Sequence, residues 1–297
     1  MKPTPEALLR RVEWTVLRRL DGLLQGDYRT LWRGFGIDLA DLREYQYHDD
    51  VRHIDWNVTA RLQTPYVRQF TEDRELSAWF VVDLTASMQF GSGDIRKIDL
   101  AIEHIALLSR LLTRHGNRIG ALLYTGGDAV SLVPLGSGRR QVLQLISSLQ
   151  QAEPQKNTPT DLNLLFARAA ALVKRRSLIF TCSDFLGSSS PWHKAIGQLA
   201  QRHEVIALKV QDPLETELPD LGMLALQDSE TGEQILVDTN DAKFRQRLSS
   251  LAQARAAQTD QYLLKAGVDS LIAKDAEALI AFVAARKKRK SIKRQAA

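Results

Sequence analysis

The chain has 297 residues, of which 44% are hydrophobic and 25% charged, a composition that is ordinary for a globular protein with a sizeable core. Its single cysteine, Cys182, excludes an internal disulfide framework and a cysteine-rich zinc site. The formal net charge is +5, but residues 286–297 carry seven of the cations and no acidic residue, so the charge of the remaining chain is −2.

The first 25 residues predict an amphipathic helix. Apolar side chains recur at helical spacing between arginines over residues 7–24, and Gly26 ends the pattern. The interspersed charges exclude both a membrane span and a signal peptide in this stretch. We therefore expect a cytoplasmic protein with no membrane span.

Residues 26–76 predict a β-rich extension. They are dense in aromatic and charged residues, and short alternating stretches at 28–32 and 67–70 are typical of edge strands. The charged and aromatic cluster within them consists of Arg43, Tyr45, Asp49, Asp50, Arg52, Asp55, Trp56 and Arg61. One interpretation of this cluster is a binding surface. The other, which we favour, is an ion network that fixes the extension to the main sheet, because partly buried charges need partners.

The stretch 77–93, SAWFVVDLTASMQFGSG, predicts a strand buried on both faces and then a loop rich in oxygen side chains. Asp83 falls at the end of the strand, and Thr85 and Ser87 follow at alternate positions. Hard oxygen ligands of this kind suit Mg²⁺, and ligands bind at the carboxyl ends of strands in open α/β sheets. The alternative is a plain loop in which Asp83 and Ser87 cap the following helix.

Helices and strands alternate along the rest of the chain. The predicted strands are 119–125, 129–135, 177–183, 204–210 and 268–272, and a hairpin is predicted at 223–237. The predicted helices are 97–115, 140–150, 161–174, 191–203, 241–266 and one from 275. This order predicts an α/β domain over residues 77–285, with a doubly wound, mostly parallel sheet, helices on both faces and a C-terminal elaboration. The basic tail follows at 286–297.

Three loops are expected at the same edge of this sheet, and together they resemble the metal-ion-dependent adhesion site (MIDAS) of von Willebrand factor A domains. That site has Asp-x-Ser-x-Ser on the first loop, a threonine on the second and an aspartate on the third. The matching residues here are Asp83, Thr85, Ser87, Thr160 and Asp184. Thr85 replaces the first serine and retains its hydroxyl. The resemblance implies a von Willebrand factor A-like, Rossmann-like fold with a divalent cation at these residues.

A narrower resemblance covers about residues 26–125, whereas the A-domain likeness extends to about 210. The segment before the first loop is similar to the bacterial family catalogued as domain of unknown function 58. The matching family pattern is Arg43-Glu44-Tyr45, Asp49-Asp50, Arg52, Ile54-Asp55-Trp56 and Ala60-Arg61. The chain departs from the pattern at His48, where glycine is common, and at Asn57, where a basic residue is common.

The resemblance implies a binding module and not an enzyme. Such proteins are similar to partners of MoxR-type AAA+ ATPases, and they are thought to act as adaptors or chaperone-like factors that assemble a client protein. In related A domains the protein supplies an incomplete coordination shell for Mg²⁺, Mn²⁺ or Ca²⁺, and a carboxylate of the partner completes it. We expect the same use of the three loops here, with the client protein unknown.

The main rival hypothesis is a Mg²⁺-dependent phosphoryl-transfer enzyme with Asp83 as the phosphoryl-accepting nucleophile. Against it, position 85 is threonine where such enzymes usually carry a second acid, and no lysine is clearly placed to neutralise a phosphate. No phosphate-binding Gly-x-x-x-x-Gly-Lys-Ser/Thr loop is present either. A nucleic-acid partner is not expected, since a basic terminus alone is usually a solvated end.

Overall fold

The computed structural model describes residues 3–13, 36–47, 49–73, 77–114, 116–156, 158–186, 191–275, 278–279, 281–282 and 285. The strands are β1 (Gly36–Glu44), β2 (Tyr66–Asp73), β3 (Ser77–Asp83), β4 (Arg118–Gly126), β5 (Ala129–Gly136), β6 (Leu178–Ser183), β7 (Glu204–Lys209), β8 (Met223–Gln227), β9 (Gln234–Asp238) and β10 (Asp269–Ile272). The helices are α1 (Pro5–Val12), α2 (Trp56–Leu62), α3 (Lys97–Arg114), α4 (Gly138–Gln151), α5 (Leu162–Leu172), α6 (Trp192–Arg202), α7 (Pro213–Thr216) and α8 (Ala242–Lys265). The predicted strand at 28–32, the N-terminal helix beyond residue 13 and the tail at 286–297 lie outside the described residues.

Six strands form the central sheet, in the order β10-β7-β6-β3-β4-β5. Every neighbouring pair is parallel except β4 and β5, the predicted strands at 119–125 and 129–135, which pair antiparallel as a hairpin. β3 lies between β4 and β6, and its residue Val82 is in register with Leu123 on one side and Cys182 on the other. The predicted α/β fold with a mostly parallel sheet is confirmed.

The apolar run of β3 supplies side chains to both faces of the sheet. Phe80 and Val82 belong to the core that α1, α3 and α4 cover, whereas Trp79 and Val81 belong to the core under α5 and α6. Successive side chains of a strand point to opposite faces, so a strand covered on both sides must be apolar at every position. Phe80 also stacks on Phe180 of β6, with 5.4 Å between the ring centroids. The expected helices on both faces are therefore present.

The N-terminal helix packs on the main domain, as its amphipathic pattern predicts. Thr4 caps α1 by accepting a hydrogen bond from the backbone N–H of Ala7. The apolar side chains of α1 (Leu8, Leu9 and Val12) are buried in the same core as α3. A hydrogen-bonded ion pair of 2.5 Å between Arg110 Nε and Glu13 Oε1 joins the two segments at the edge of this contact.

The extension forms a sheet of its own. β1 and β2 pair antiparallel from Gly36 opposite Asp73 to Glu44 opposite Tyr66, with a bulge at Leu39/Asp41. The strand predicted at 67–70 lies within β2. The sequence analysis did not anticipate β1 or the helix α2, whose first turn is capped by Asp55 through hydrogen bonds from two backbone N–H groups.

The C-terminal elaboration also follows the prediction. β8 and β9 pair antiparallel as a separate two-stranded sheet, and the long helix α8 starts after the capping residue Asp241. β10 then returns to the central sheet and pairs in parallel with β7. Over the described part of the chain, no helix combines the length and the apolar character that crossing a bilayer requires.

The close packing of β3 against β4 predicts a strong effect of one added methyl group. A Cβ at Gly120 would lie 2.8 Å from Trp79 Cζ3 and 3.0 Å from the carbonyl oxygen of Val133. Gly120→Ala should therefore lower the free energy of unfolding by about 1–3 kcal/mol. Gly93→Ala is the matched control, because no atom lies within 4 Å of its Cβ position. Urea unfolding of both variants measures the difference, and equal midpoints would contradict the packing.

Candidate metal centre at the carboxyl edge of the sheet

The topology brings the three predicted loops together. β3 and β6 are parallel neighbours, so the residues that follow them, from Asp83 and from Asp184, leave the same edge of the sheet. The second loop is positioned from β4, where the hydroxyl of Tyr124 accepts a hydrogen bond of 3.0 Å from the backbone N–H of Asp161. Asp161 in turn caps α5, which fixes Thr160 immediately before the helix.

Asp83 is fully buried, and both of its carboxylate oxygens accept hydrogen bonds. Oδ1 accepts from the backbone N–H of Thr85 at 3.0 Å and from Thr85 Oγ1 at 2.7 Å, and Oδ2 accepts from Ser183 Oγ at 2.7 Å. Within the described ranges, no lysine, arginine or histidine forms an ion pair with it. Burial, and then the nearby charge of Asp184, raise the pKa of Asp83 to about 6, although these hydrogen bonds act in the opposite direction.

Hydroxyl groups from two loops meet beside this carboxylate. Thr160 Oγ1 donates to Thr85 Oγ1 at 2.9 Å, Thr85 Oγ1 donates to Asp83, and Ser87 Oγ lies 3.4 Å from Thr85 Oγ1. Four of the five predicted ligands are thus in one hydrogen-bonded group. The capping alternative accounts for one of these contacts, the Asp83 bond to the backbone of Thr85. The short 3₁₀ turn Ala86–Gln89 begins after Thr85, whose side chain makes no capping hydrogen bond.

Asp184, the fifth predicted ligand, already has a cationic partner. Its Oδ1 accepts the backbone N–H of Leu186 at 2.9 Å, and its Oδ2 lies 2.6 Å from Lys97 Nζ. The same ammonium group contacts Glu215 Oε1 of α7. Lys97, the first residue of α3, therefore points into this site, a contact that the sequence analysis did not anticipate.

Glu215 belongs to a short element that is tied back to the first loop. Asp212 caps α7, and a capping box forms because Glu215 Oε2 accepts the backbone N–H of Asp212 at 3.1 Å. Asp212 Oδ2 also accepts the backbone N–H of Ser92 at 2.8 Å. Burial raises the pKa of Glu215, and the positive charge of Lys97 offsets this only in part.

The third loop is held in a strained backbone conformation. Phe185 has a φ of 57°, in the left-handed region that a bulky side chain rarely adopts. Its backbone N–H donates to Ser183 Oγ at 3.0 Å, and its ring packs against Trp192 with 5.2 Å between centroids. Ser183 therefore serves two loops, since its hydroxyl group also donates to Asp83. Strain of this kind persists only where the surroundings determine it.

The donor set fits a hard divalent cation. Two carboxylates and three hydroxyl groups are oxygen ligands, which Mg²⁺, Mn²⁺ and Ca²⁺ accept, and a site with few carboxylates suits an ion that keeps several waters. The observation that favours a cation is Asp83 itself, a buried carboxylate without a basic partner. In the described segments no cluster of three or more His, Cys, Asp or Glu side chains has a metal-binding arrangement.

The charged cluster of the extension does not join these loops through the contacts that the structure gives. Arg43 and Asp49 form a bidentate pair, with N–O distances of 2.6 and 2.8 Å. Asp50 caps the 3₁₀ turn Val51–His53, and Asp55 caps α2. Arg43 and Asp49 thus form one of the expected ion pairs, while the two caps shape the extension's own turns. The expected ion network, and its link to the main sheet, stay predictions.

The other members of that cluster are more open to solvent. Tyr45 is half-buried, whereas Arg52, Arg61 and Trp56 are exposed, and Trp56 has an exposed fraction of 69%. Helix capping accounts for Asp50 and Asp55, but it does not account for the exposure of Trp56. The binding-surface interpretation therefore remains open for these residues.

The sequence analysis missed four residues of the site: Lys97, Ser183, Asp212 and Glu215. Ser183 ends a predicted apolar strand, and its position immediately before Asp184 was an available signal. Asp-Pro-x-Glu at 212–215 has the spacing of a capping box and was also available. Nothing in the sequence pairs Lys97 with either acid, because 87 and 118 residues separate it from its two partners.

The chain is similar to proteins of one family. The family described as "Protein of unknown function DUF58" matches residues 41–258. An uncharacterized protein of Mycobacterium tuberculosis is 41% identical over 233 residues, which is 77% of this chain and 72% of that protein. Among solved structures, an aerotolerance-related membrane protein from Bacteroides fragilis (TM-score 0.49) and the conserved hypothetical protein BatB from Bacteroides thetaiotaomicron (TM-score 0.48) are each 14% identical. In both cases the match covers 72% of this chain and 99% of the other.

The raised pKa of Asp83 predicts a pH-dependent stability of the metal-free protein. The folded state holds this proton more tightly than the unfolded chain, whose ordinary carboxyl pKa is 3.8, so the free energy of unfolding falls as the pH rises from about 4 to about 6. Asp83→Asn keeps the Oδ1 acceptor and removes the charge. It should stabilise the protein by on the order of 2 kcal/mol near pH 7.

Urea unfolding in the presence of a chelator, at pH values from about 4 to about 8, measures this effect. The gap between Asp83→Asn and the natural protein should close at the acidic end. The exposed Asp94 offers a charge-matched control, Asp94→Asn, which should show no such opening of the gap with pH. A gap that is independent of pH would contradict the assignment.

Proposed function

The chain belongs to the family described as Protein of unknown function DUF58, and from that premise we propose that it is a non-enzymatic, metal-dependent protein-binding adaptor. The proposed partner is a MoxR-type AAA+ ATPase in the cytoplasm, with which it assists the assembly or maturation of a client protein. The partner class is taken from the family resemblance described for residues 26–125.

One observation carries the metal-binding half of the proposal. Asp83 is completely buried, has no basic partner in the described residues and is surrounded by hydroxyl groups from two loops. Burying a carboxylate without a counter-charge is costly, and three neutral hydrogen bonds offset that cost only in part. A cation bound beside Asp83 would supply the missing charge. Residues that serve only a loop structure have no need of this arrangement.

The residues that would hold the cation are Asp83, Thr85, Ser87, Thr160 and Asp184. When bound, a divalent cation supplies an open coordination position that a carboxylate of another protein can occupy. The chain's own groups prepare that position. The carboxylates provide part of the negative charge, the hydroxyl chain from Thr160 to Thr85 orients the oxygen ligands, and the buried position of these groups lowers the local dielectric.

The phosphoryl-transfer hypothesis has no comparable support. Position 85 is threonine, where such enzymes usually carry a second acid, and the hydroxyl group of Thr85 donates a hydrogen bond to Asp83. Lys97 is close, but its ammonium group is bound to two carboxylates. We therefore base the function on binding.

Metal removal and ligand substitution test the proposal directly. Biolayer interferometry should detect binding of the immobilised protein to a MoxR-type ATPase from the same genome in Mg²⁺ or Mn²⁺. Excess chelator should weaken the complex more than about tenfold. Asp83→Ala and Thr160→Val, which remove one ligand each, should do the same without chelator.

Asp94→Ala is the control for Asp83→Ala, since it removes an exposed aspartate near the same loop. It should bind the ATPase like the natural protein. If the complex forms equally well in chelator and with Asp83→Ala, the metal has no part in it. The extension around Trp56 would then be the next surface to test.

A further inference from the structure

Lys97 places a positive charge inside the candidate metal centre. Its side chain has an exposed fraction of 2%, and the side chain of Asp184, whose Oδ2 lies 2.6 Å from Lys97 Nζ, has none. The second partner, Glu215, is on the outer side of this group, with an exposed fraction of 20%. The ammonium group of Lys97 thus bridges Asp184, a predicted metal ligand, and Glu215, which is not among the predicted ligands.

The position of this lysine is costly by itself. It is the first residue of α3, where the helix dipole disfavours a cation. Burial lowers the pKa of its ammonium group, but the charges of Asp184 and Glu215 outweigh that effect and the net shift is upward. The group therefore remains charged, and its two ion pairs are what keep it inside the protein.

The ammonium group and a divalent cation need the same oxygen. Asp184 Oδ1 already accepts the backbone N–H of Leu186, and Oδ2 is the atom that Lys97 contacts. Two cations on one carboxylate oxygen repel each other strongly in a buried site. A metal bound directly to Asp184 Oδ2 would therefore compete with Lys97 for this oxygen.

We propose that Lys97 is an internal competitor that a divalent cation must displace from Asp184, and that Glu215 holds the ammonium group once it is displaced. This inference rests on the proposed function, because it assumes a cation at the three loops. Glu215 is suited to this role because its Oε2 is fixed to the backbone of Asp212, while its Oε1 contacts the lysine. Lys97 moves between two carboxylates that both lie within its present reach.

The competition keeps the affinity for metal low until a partner contributes. The binding free energy of the metal is smaller than it would be at a free carboxylate, since the metal must first break the ion pair between Lys97 and Asp184. A carboxylate from a partner adds a negative charge beside the metal and so favours the state in which Lys97 is displaced. Metal and partner then bind cooperatively, and each raises the affinity for the other by the same factor.

Calorimetric titration of Mn²⁺ into single variants tests the competition. Lys97→Met removes the charge and keeps the length of the aliphatic stem, and it should bind Mn²⁺ roughly ten- to a hundredfold more tightly than the natural protein. Lys209→Met is the matched control. Lys209 is also a buried lysine at the carboxyl end of a strand, but its partner is Asp260 of α8. Its substitution should leave the Mn²⁺ affinity unchanged.

A double-mutant cycle isolates the role of Glu215. Glu215→Gln should weaken Mn²⁺ binding, because the displaced ammonium group loses its second carboxylate. In the Lys97→Met background the same substitution should have much less effect. If Lys97→Met does not fold, which a thermal melt would reveal, Lys97→Gln, which also removes the charge, takes its place in the cycle.

The possible failures are separable. If the natural protein and Lys97→Met bind Mn²⁺ equally well, Lys97 is no competitor, and the metal-dependent adaptor stands. If neither binds Mn²⁺ with or without the ATPase, the metal site and the competition both fail. If Glu215→Gln weakens binding equally in both backgrounds, Glu215 acts through its own charge and not as the second holder of Lys97.

Discussion

The burial of the Asp83 carboxylate is the constraint on which the rest of this site depends. Asp83 lies at the carboxyl end of the central strand β3. Ser183, at the end of the neighbouring parallel strand β6, donates a hydrogen bond to Asp83 Oδ2. The loops are then fixed around it, since Thr85 satisfies the first oxygen and Thr160 satisfies Thr85. Neutral donors reduce the cost of the buried charge without removing it, as the raised pKa indicates. The sheet provides the position, and the loops provide a polar but uncompensated environment.

The two carboxylates of the site differ in whether a positive charge lies beside them. Asp83 has hydrogen bonds and no cation in the described residues, whereas Asp184 has a buried ammonium group on one oxygen. An isolated buried charge and a buried ion pair differ by several kcal/mol in electrostatic cost. In the metal-free loops, Lys97 thus neutralises one of the two negative charges. Asp83 is then the carboxylate with the greater need for an incoming cation.

The architecture could be predicted because it depends on patterns that are local in sequence. Apolar runs such as 78–82 and 178–182, alternating with amphipathic helices, are enough to indicate a parallel sheet and the edge where Asp83, Thr160 and Asp184 lie. β1 was not predictable in the same way, because its sequence GIDLADLRE carries charges on an isolated two-stranded sheet. Lys97 was missed for a different reason. As the first residue of a helix it has the pattern of a solvated side chain, and only the tertiary fold brings its two acids to it.

If the protein's own cations neutralised both carboxylates of the site, a metal or partner would gain little by binding there. If neither carboxylate were neutralised, their burial would strongly destabilise the fold. The combination of Asp83 and Lys97 lies between these limits. A resident lysine neutralises the loop that would otherwise carry a second unpaired carboxylate, and it can be retained by Glu215 without leaving the protein. A ligand shifts an equilibrium only by its differential affinity for the two states, which here are Lys97 on Asp184 and Lys97 displaced from it. Any group that stabilises the displaced state therefore raises the affinity for the metal. A carboxylate offered by a partner is such a group, and this links recognition of an acidic surface to the state of one buried ion pair.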